Sequence, residues 1–204
     1  MPDIDQPSEA EWSAIPSAVV SDCLGRFSAM SGDIRALSGE HLVGPAYPLQ
    51  VVAGDNRSIH LALKDVPPGW VLVIDAGGYP DRAVWGGVLA EAARARGVAG
   101  VVIDGALRDV AELRQQGFPA FARGTSPAGP HKAGGGVAAE TVSCGGVLVG
   151  YGDLIVGDLD GVAVVPRDRI ATTLDAVRQR LQLEQEWLDR IRAGVPSSVV
   201  LGLE

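Results

Sequence analysis

The sequence has few cysteines and histidines, and this scarcity excludes several kinds of site. Its 204 residues include two cysteines, Cys23 and Cys144, and three histidines. The cysteines lie far apart without CxxC spacing, which predicts two small buried side chains rather than a redox pair or a disulfide. No two histidines have the spacing of metal ligands, so we do not expect a zinc site of the usual His/Cys kind.

Long apolar runs and an excess of basic residues are also missing. Every apolar run falls short of the roughly 20 residues that span a bilayer. The segment MPDIDQPSEAEW at residues 1–12 is acidic and has no apolar stretch typical of a signal peptide. The net charge is −8, whereas binding to a nucleic-acid backbone needs a basic face. We therefore expect a cytoplasmic protein that binds neither membranes nor nucleic acid directly.

What the sequence does have is glycine, with 27 residues, and an alternation of strand and helix patterns through its middle. Apolar runs at residues 70–76 and 98–104 predict buried strands, and each precedes a helical pattern. Glycines punctuate residues 134–166, which predicts short strands and tight turns. Residues 167–193 have the apolar spacing of an amphipathic helix. The sequence predicts one α/β domain over residues 1–204, with residues 1–16 as a peripheral start.

The first candidate site feature is the pair Arg108-Asp109, which directly follows the predicted strand VAGVVIDG. Ligands bind beyond the carboxyl ends of strands in open α/β sheets. The alternative is structural, because Asp109 is a natural N-cap for the helix DVAELRQQG and Glu112 would complete a capping box. In that interpretation Arg108 is simply solvated.

The second feature is the glycine pair at the start of the helix WGGVLAEAARARG. A helix N-terminus presents free N–H groups and partial positive charge, so Gly86 to Leu89 could bind a carboxylate. If the two strands are neighbours, this helix start converges with Arg108 and Asp109. A guanidinium can bind a carboxylate through two hydrogen bonds, and a carboxylate can hold a hard cation. This combination suits a 2-keto acid that chelates a divalent ion.

Other polar residues have weaker claims. Asp104 ends a strand and either orients Arg108 or sits in a turn. Asp55 and Asn56 are interpreted as helix caps and His60 as a packing residue. His131, beside Lys132 in a glycine-rich segment, either contacts a distal substrate carboxylate or lies on a mobile surface loop.

The stretch GGVLAEAARARGVAGVVIDGALRDVAEL resembles the signature of a known family. That signature has a glycine, about twenty residues, Arg-Asp, two residues and an acid, matched here by Gly87, Arg108, Asp109 and Glu112. The segments GDNRSIHLALKDVPPGWVLVIDAGG, FPAFARGTSP and GDLIVGDLDGVAVVP also resemble family segments. The family contains the regulator of ribonuclease activity A and the class II pyruvate aldolases, and the resemblance covers roughly residues 17–194.

This resemblance implies an α/β/β/α layered fold and a ring-shaped homotrimer, or a hexamer of two stacked trimers. It implies retro-aldol cleavage of substrates such as 4-hydroxy-4-methyl-2-oxoglutarate, or oxaloacetate decarboxylation, with Mg²⁺ or Mn²⁺ stabilising a pyruvate enolate. The residues implied to bind substrate are Gly86, Gly87, Val88, Leu89 and Arg108.

The resemblance also assigns roles to acidic side chains. Asp109 would hold the metal, largely through water or substrate oxygens, and Glu184 or Glu186 would reach the site of a neighbouring subunit. One departure concerns Gly87, where the aldolases carry an acid proposed to assist proton transfer. The alternative function is that of a non-catalytic regulator that binds ribonuclease, which the same fold would serve.

Overall fold

Four parallel strands with largely apolar sequences form the centre of the structure, a computed structural model that describes residues 9–138 and 140–204. The strands, in chain order, are β1 (Arg35–Ser38), β2 (Leu42–Val51), β3 (Val71–Trp85), β4 (Gly100–Leu107), β5 (Ala120–Thr125), β6 (Gly136–Ala138), β7 (Thr141–Cys144), β8 (Val147–Gly150), β9 (Leu154–Asp158) and β10 (Gly161–Val165). The central four lie in the order β5-β4-β3-β2. All eight residues of β4 are buried, as expected for a parallel strand covered on both faces.

Antiparallel strands extend this centre on both sides. Strand β1 pairs with β5, and β9 and β10 continue the sheet beyond β2. Strand β6 pairs with the far end of β2, and β7 and β8 form a separate hairpin. The β-rich character predicted for residues 134–166 is confirmed.

Helices cover the sheet on two sides. They are α1 (Glu9–Trp12), α2 (Ser17–Cys23), α3 (Arg57–Ala62), α4 (Gly87–Arg94), α5 (Val110–Gln116), α6 (Ile170–Arg192) and α7 (Ser197–Val200), with short 3₁₀ turns at Leu63–Asp65 and Arg167–Arg169. Helices α3, α4 and α5 pack on one face of the central strands. The other face packs on the β7–β8 hairpin, β9 and β10, and the outer side of β9 and β10 packs on α2 and α6. The predicted α/β/β/α arrangement is confirmed.

The N-terminal segment differs from its prediction. Residues 1–8 lie outside the described part of the chain. Trp12 is fully buried and Ile15 is 8% exposed, both packed against β9, β10 and α6. The segment is therefore part of the core from Trp12 onward rather than peripheral, because its apolar side chains cover the outer side of two strands.

The helix predicted over residues 167–193 is present as α6 and its preceding turn. None of the helices in the described ranges is both long and apolar enough to cross a membrane. Both cysteines are free thiols. Cys144 is buried as predicted, whereas Cys23 is only half-buried, and burial raises the pKa of each thiol.

Strand β3 is longer than its sequence suggests. The sequence predicts an exit at Gly77, but the strand continues to Trp85 with register shifts after Asp75, Tyr79 and Ala83. These irregularities let β3 stay paired with β4, so that Trp85 lies opposite Leu107. Helix α4 therefore starts beside the end of β4.

Candidate active site

The ends of β3 and β4 bring the two predicted site features together. The backbone N–H of Arg108 donates to the carbonyl oxygen of Trp85 at 3.0 Å. Gly86 is the N-cap of α4, and Gly87 is its first residue. The expected convergence of the glycine-started helix with Arg108 and Asp109 is therefore present.

Asp109 adopts a conformation that its sequence context does not suggest. Its φ is +61° and its ψ is 33°, a left-handed backbone that is uncommon outside glycine, asparagine and aspartate. Its side chain does not cap α5; instead Oδ2 accepts a hydrogen bond from the N–H of Gly87 at 3.0 Å. The capping interpretation was wrong, because a capping side chain normally needs an extended N-cap backbone.

Glu112 likewise does not form the predicted capping box. Its Oε1 accepts a hydrogen bond from Nε2 of Gln116 at 3.2 Å. The same carboxylate lies against Gly87, so that a Cβ at residue 87 would collide with it. The space that a side chain at residue 87 would need is thus filled by the Glu112 carboxylate.

The start of α4 lets neighbouring side chains approach its backbone closely. A Cβ on Gly86 would lie 2.5 Å from Oδ2 of Asp109 and 3.0 Å from Cγ of Arg108, so only glycine fits without displacing both. The N–H of Gly87 is already engaged by Asp109. The N–H groups of Val88 and Leu89, in the first turn of the helix, have no acceptor within the helix. These two donors and the helix dipole are available to an anion.

The guanidinium of Arg108 lies between α4 and the segment 126–135. Its Nε is 3.4 Å from Oδ2 of Asp109, and its side chain is 42% exposed. A Cβ on Gly129 would lie 2.9 Å from Nη1 of Arg108, so this glycine leaves room for the guanidinium. Arg108 thus keeps donors free for a ligand while Asp109 stays beside it.

A cavity of about 290 Å³ opens at this point. Its lining residues are Asn56, His60, Trp85, Gly86, Val88, Leu89, Arg108, Asp109, Pro130 and Lys132. It therefore combines the helix start, the Arg108-Asp109 pair and a second wall that contains another cation.

Lys132 is a residue of this site that sequence reasoning did not select. Asn56 and His60, interpreted from the sequence as a helix cap and a packing residue, also line the cavity. Its Nζ donates to Oδ1 of Asn56 at 3.0 Å, a neutral acceptor that leaves the positive charge uncompensated. None of the ion pairs among the described residues includes Lys132. Burial, followed by the charge of Lys132, holds the pKa of the His60 imidazole below its usual value. This wall is therefore positively charged through Lys132 alone.

His131 does not line the cavity. Its backbone N–H donates to the carbonyl oxygen of Gly54 at 2.9 Å, and its carbonyl oxygen accepts from the N–H of Asn56 at 3.1 Å. These bonds anchor the segment and leave the next residue, Lys132, at the cavity. The only sequence signal for Lys132 was its position next to His131.

Asp104 lies elsewhere and does not orient Arg108. It is 7% exposed, within β4, and its Oδ1 pairs with Nε of Arg123. Its Oδ2 accepts from the N–H of Gly145 at 2.8 Å. Asp104 is therefore neither a turn residue nor a support of the site, because it connects β4 to β5 and to the β7–β8 turn.

Glu184 is paired within its own helix. Its Oε1 accepts from Nε of Arg180 at 2.7 Å, and the Arg180 guanidinium stacks on Trp187 at 4.9 Å. Glu184 and Glu186 do not line the cavity of their own chain. A role for either in catalysis would need a second copy of the chain and stays a prediction.

The residues of the cavity fit a divalent cation that needs only one carboxylate from the protein. Among the described residues, no group of three or more His, Cys, Asp or Glu side chains could hold a metal. Asp109 nevertheless offers a carboxylate that is 38% exposed and whose Oδ2 alone is engaged. Mg²⁺ is often bound by one or two carboxylates, with water and substrate oxygens completing the shell. Asp109 thus fits Mg²⁺ or Mn²⁺ bound together with a chelating substrate.

Comparison with known proteins finds similar proteins over most of the chain. The chain matches the family model described as Aldolase/RraA, RraA-like, over residues 17–164. It is 38% identical over 181 residues to a Halalkalibacterium halodurans protein named as a candidate 4-hydroxy-4-methyl-2-oxoglutarate aldolase, covering 88% of this chain and 86% of that protein.

Two solved structures are similar over most of the chain. RraAS2 of Streptomyces coelicolor, described as an unusual member of the RNase ES inhibitor RraA protein family, has a TM-score of 0.76 and 31% identity, covering 90% of this chain and 96% of that one. An uncharacterised Pseudomonas syringae protein has a TM-score of 0.84 and 27% identity, covering 96% and 92%.

Proposed function

Because this chain belongs to the RraA-like family of aldolase/RraA proteins, we propose that it is a divalent-metal-dependent lyase that acts on small 2-keto acids and releases pyruvate. The observation that carries the proposal is the meeting of Arg108, Asp109 and the start of α4 at one cavity. The name of the Halalkalibacterium relative supports an aldol substrate of the 4-hydroxy-4-methyl-2-oxoglutarate type.

The substrate carboxylate would bind between Arg108 and the first turn of α4. The guanidinium can donate two parallel hydrogen bonds to a carboxylate. The N–H groups of Val88 and Leu89 add donors, and the helix dipole favours the negative charge. These groups fix the 2-keto acid at its first carbon.

Asp109 would hold Mg²⁺ or Mn²⁺ beside that position. When bound, the cation supplies Lewis-acid stabilisation of negative charge that develops on the keto oxygen. The protein's own contribution is to hold the Asp109 carboxylate in place through its bond to the N–H of Gly87.

The two candidate reactions make different demands on the residues near Gly87. Retro-aldol cleavage needs a base to remove a hydroxyl proton, whereas decarboxylation starts from an ionised carboxylate and needs none. Glu112 fills the space that a side chain at residue 87 would take but does not line the cavity. We therefore propose oxaloacetate decarboxylation as the faster reaction of the two.

Lys132 would bind the far end of the substrate. It lines the same cavity as Arg108 and the start of α4, and has no carboxylate partner among the described residues. Two cations that line a cavity of about 290 Å³ suit a dicarboxylate with a main chain of four or five carbons. Oxaloacetate and 4-hydroxy-4-methyl-2-oxoglutarate both carry a second carboxylate.

The assembly in this proposal is a homotrimer or a hexamer, as in the family that the chain resembles. A neighbouring copy would bring Glu184 to the site. In its own chain, Glu184 is neutralised by Arg180, so this role would require the ion pair to open or to move with the helix.

The alternative is a regulator that binds a ribonuclease without catalysis. It is favoured by the similarity to RraAS2, whose description names an RNase ES inhibitor family. A regulator of that kind would have no use for a free cation-binding carboxylate in a cavity. Metal-dependent turnover separates the two functions.

The direct test is oxaloacetate cleavage followed by a coupled lactate dehydrogenase assay. We expect pyruvate to form with Mg²⁺ or Mn²⁺ and the reaction to stop when EDTA removes the metal. Divalent ions also decarboxylate oxaloacetate in solution, so the control contains the same metal in buffer without the protein. A rate that does not exceed this control would remove the lyase proposal and favour the regulator.

Loss of Arg108 should mainly weaken substrate binding. Arg108→Ala should cost roughly 2 to 4 kcal/mol in the binding free energy of pyruvate, since a charged hydrogen-bond pair is lost. Arg108→Lys should recover part of this loss, because it keeps the charge but not the paired donors. Calorimetric titration with pyruvate and Mg²⁺ measures both variants. If Arg108→Ala binds pyruvate as tightly as the wild type, the assigned role is wrong.

A further inference from the structure

Asp55 is a buried carboxylate that neither lines the cavity nor takes part in the proposed chemistry. It is 4% exposed. Its Oδ1 accepts from the N–H of Arg57 at 2.9 Å. Its Oδ2 accepts from the N–H groups of Ala133 at 2.9 Å and Gly134 at 2.7 Å. Three backbone donors on one buried carboxylate are more than the start of α3 alone requires.

These bonds hold a segment that has little regular structure of its own. Residues 126–135 contain no helix or strand, apart from a single bridge between His131 and Asp55. Gly134 lies so close that a Cβ there would be 2.8 Å from Cγ of Asp55. Asp55 is therefore the side chain that fixes the later half of this segment, and Arg82, which donates to the carbonyl oxygen of Gly129, fixes the earlier half.

The held segment is the outer wall of the cavity. Between the two fixed points it contributes Pro130 and Lys132 to the lining. Lys132 is one residue from Ala133, whose N–H is bound by Asp55. The backbone bonds of His131 and the bond from the Lys132 ammonium to Asn56 hold Lys132 from one side, and Asp55 holds the residues that follow it. Asp55 therefore contributes to the place of the Lys132 ammonium without an ion pair to it.

Asp55 can fulfil this role only as a carboxylate. Burial disfavours its charge, but the N–H donors of Arg57, Gly134 and Ala133, together with His131, outweigh burial and hold the pKa of Asp55 below its ordinary value. An asparagine has one acceptor oxygen and would turn its NH₂ group toward one set of N–H donors. Asp55→Asn therefore removes acceptors while it keeps the size of the side chain.

We propose that Asp55 is a positioning residue that places Lys132 for the second carboxylate of a dicarboxylate 2-keto acid. This inference rests on the proposed function for its ligand. It assigns the selection between mono- and dicarboxylate ligands to a residue outside the cavity. The binding of the first carboxylate, at Arg108 and α4, does not depend on Asp55.

The test compares two 2-keto acids in the presence of Mg²⁺: pyruvate, and 2-oxoglutarate, which adds a second carboxylate. Calorimetry on Asp55→Asn should show about a tenfold weaker binding of 2-oxoglutarate and less than about a twofold change for pyruvate, since only one end of the ligand is affected. Amide hydrogen exchange, followed by NMR, should be faster at Ala133 and Gly134.

A matched control is Asp153→Asn. Asp153 also accepts two backbone N–H groups, from Gly150 at 2.6 Å and Arg167 at 2.9 Å, but lies away from the cavity. It should leave the ratio of the two dissociation constants unchanged. If Asp55→Asn has the same ratio of the two dissociation constants as the wild type, the inference is overturned, whereas the proposed function is unaffected.

Failure of the proposed function gives a different result. If the wild type binds neither acid, the ligand class is wrong, and the exchange data then decide on Asp55. Faster amide exchange at Ala133 and Gly134 in Asp55→Asn would still show that Asp55 holds this wall of the cavity in place. Unchanged exchange contradicts that hold.

Discussion

Asp109→Asn should abolish metal-dependent turnover, with kcat for oxaloacetate falling by about a thousandfold or more, because the charge that holds the cation is lost. Asparagine has the same shape and adopts the left-handed backbone of residue 109 readily. Its side-chain oxygen can still accept the N–H of Gly87. The variant therefore removes charge at residue 109 with little disturbance of the ends of β4 and α4.

The measurement is a Mg²⁺ and Mn²⁺ titration of oxaloacetate turnover, with thermal unfolding of the same samples. The control is Asp175→Asn, which removes a carboxylate from an exposed ion pair with Arg178 on α6. Both variants should unfold within a few degrees of the wild type. Saturable metal activation of Asp109→Asn, at the wild-type rate, would rule out Asp109 as the metal-holding carboxylate.

Gly86→Ala should lower kcat/KM by about a hundredfold or more, because one added methyl displaces two functional side chains. The Cβ would lie 2.5 Å from Oδ2 of Asp109 and 3.0 Å from Cγ of Arg108. The backbone of Gly86, with φ −174°, is extended and accepts any residue, so strain is not the cause. The loss would come from the geometry of the Arg108-Asp109 pair.

Gly124→Ala is the matched control for this substitution. Gly124 lies in β5, and a Cβ there would meet nothing within 4 Å. Its kcat/KM and unfolding temperature should stay close to those of the wild type. If Gly86→Ala retains wild-type kcat/KM, the close approach at the start of α4 is not needed for catalysis.

The layered fold could be predicted because its determinants are local. The apolar runs of β3 and β4, the glycines after the helices and the period of α6 each report on their own segment. The continuation of β3 from Gly77 to Trp85 could not be predicted, since it runs through two glycines and a proline and depends on pairing with β4. Trp12 was missed because its burial depends on β9 and β10, far along the chain.

The meeting of the α4 start with Arg108 and Asp109 could be predicted from the order of the strands, whereas the hydrogen-bond partners of the side chains could not. The structural alternative for Asp109 was a cap on α5, the helix that follows it, but the N–H of Gly87 offers its carboxylate a partner in α4. Asp104 could have been placed from strand alternation, because it shares a face with Val102, which packs on the β7–β8 layer. Lys132 could not, since its place at the cavity depends on contacts of residues 131–133 with Gly54, Asp55 and Asn56, more than seventy positions away in sequence.

The two walls of the cavity are held by different means, and this difference bears on how the protein can evolve. Arg108 and Asp109 follow directly from β4, a strand with every residue buried, so changes near them disturb the core. Pro130 and Lys132 lie on a segment without helix or strand, which hydrogen bonds connect to the surrounding elements. Substitutions at exposed positions of this segment, such as Lys132, can thus alter ligand preference at little cost to global stability, and relatives with new substrates should differ mainly there.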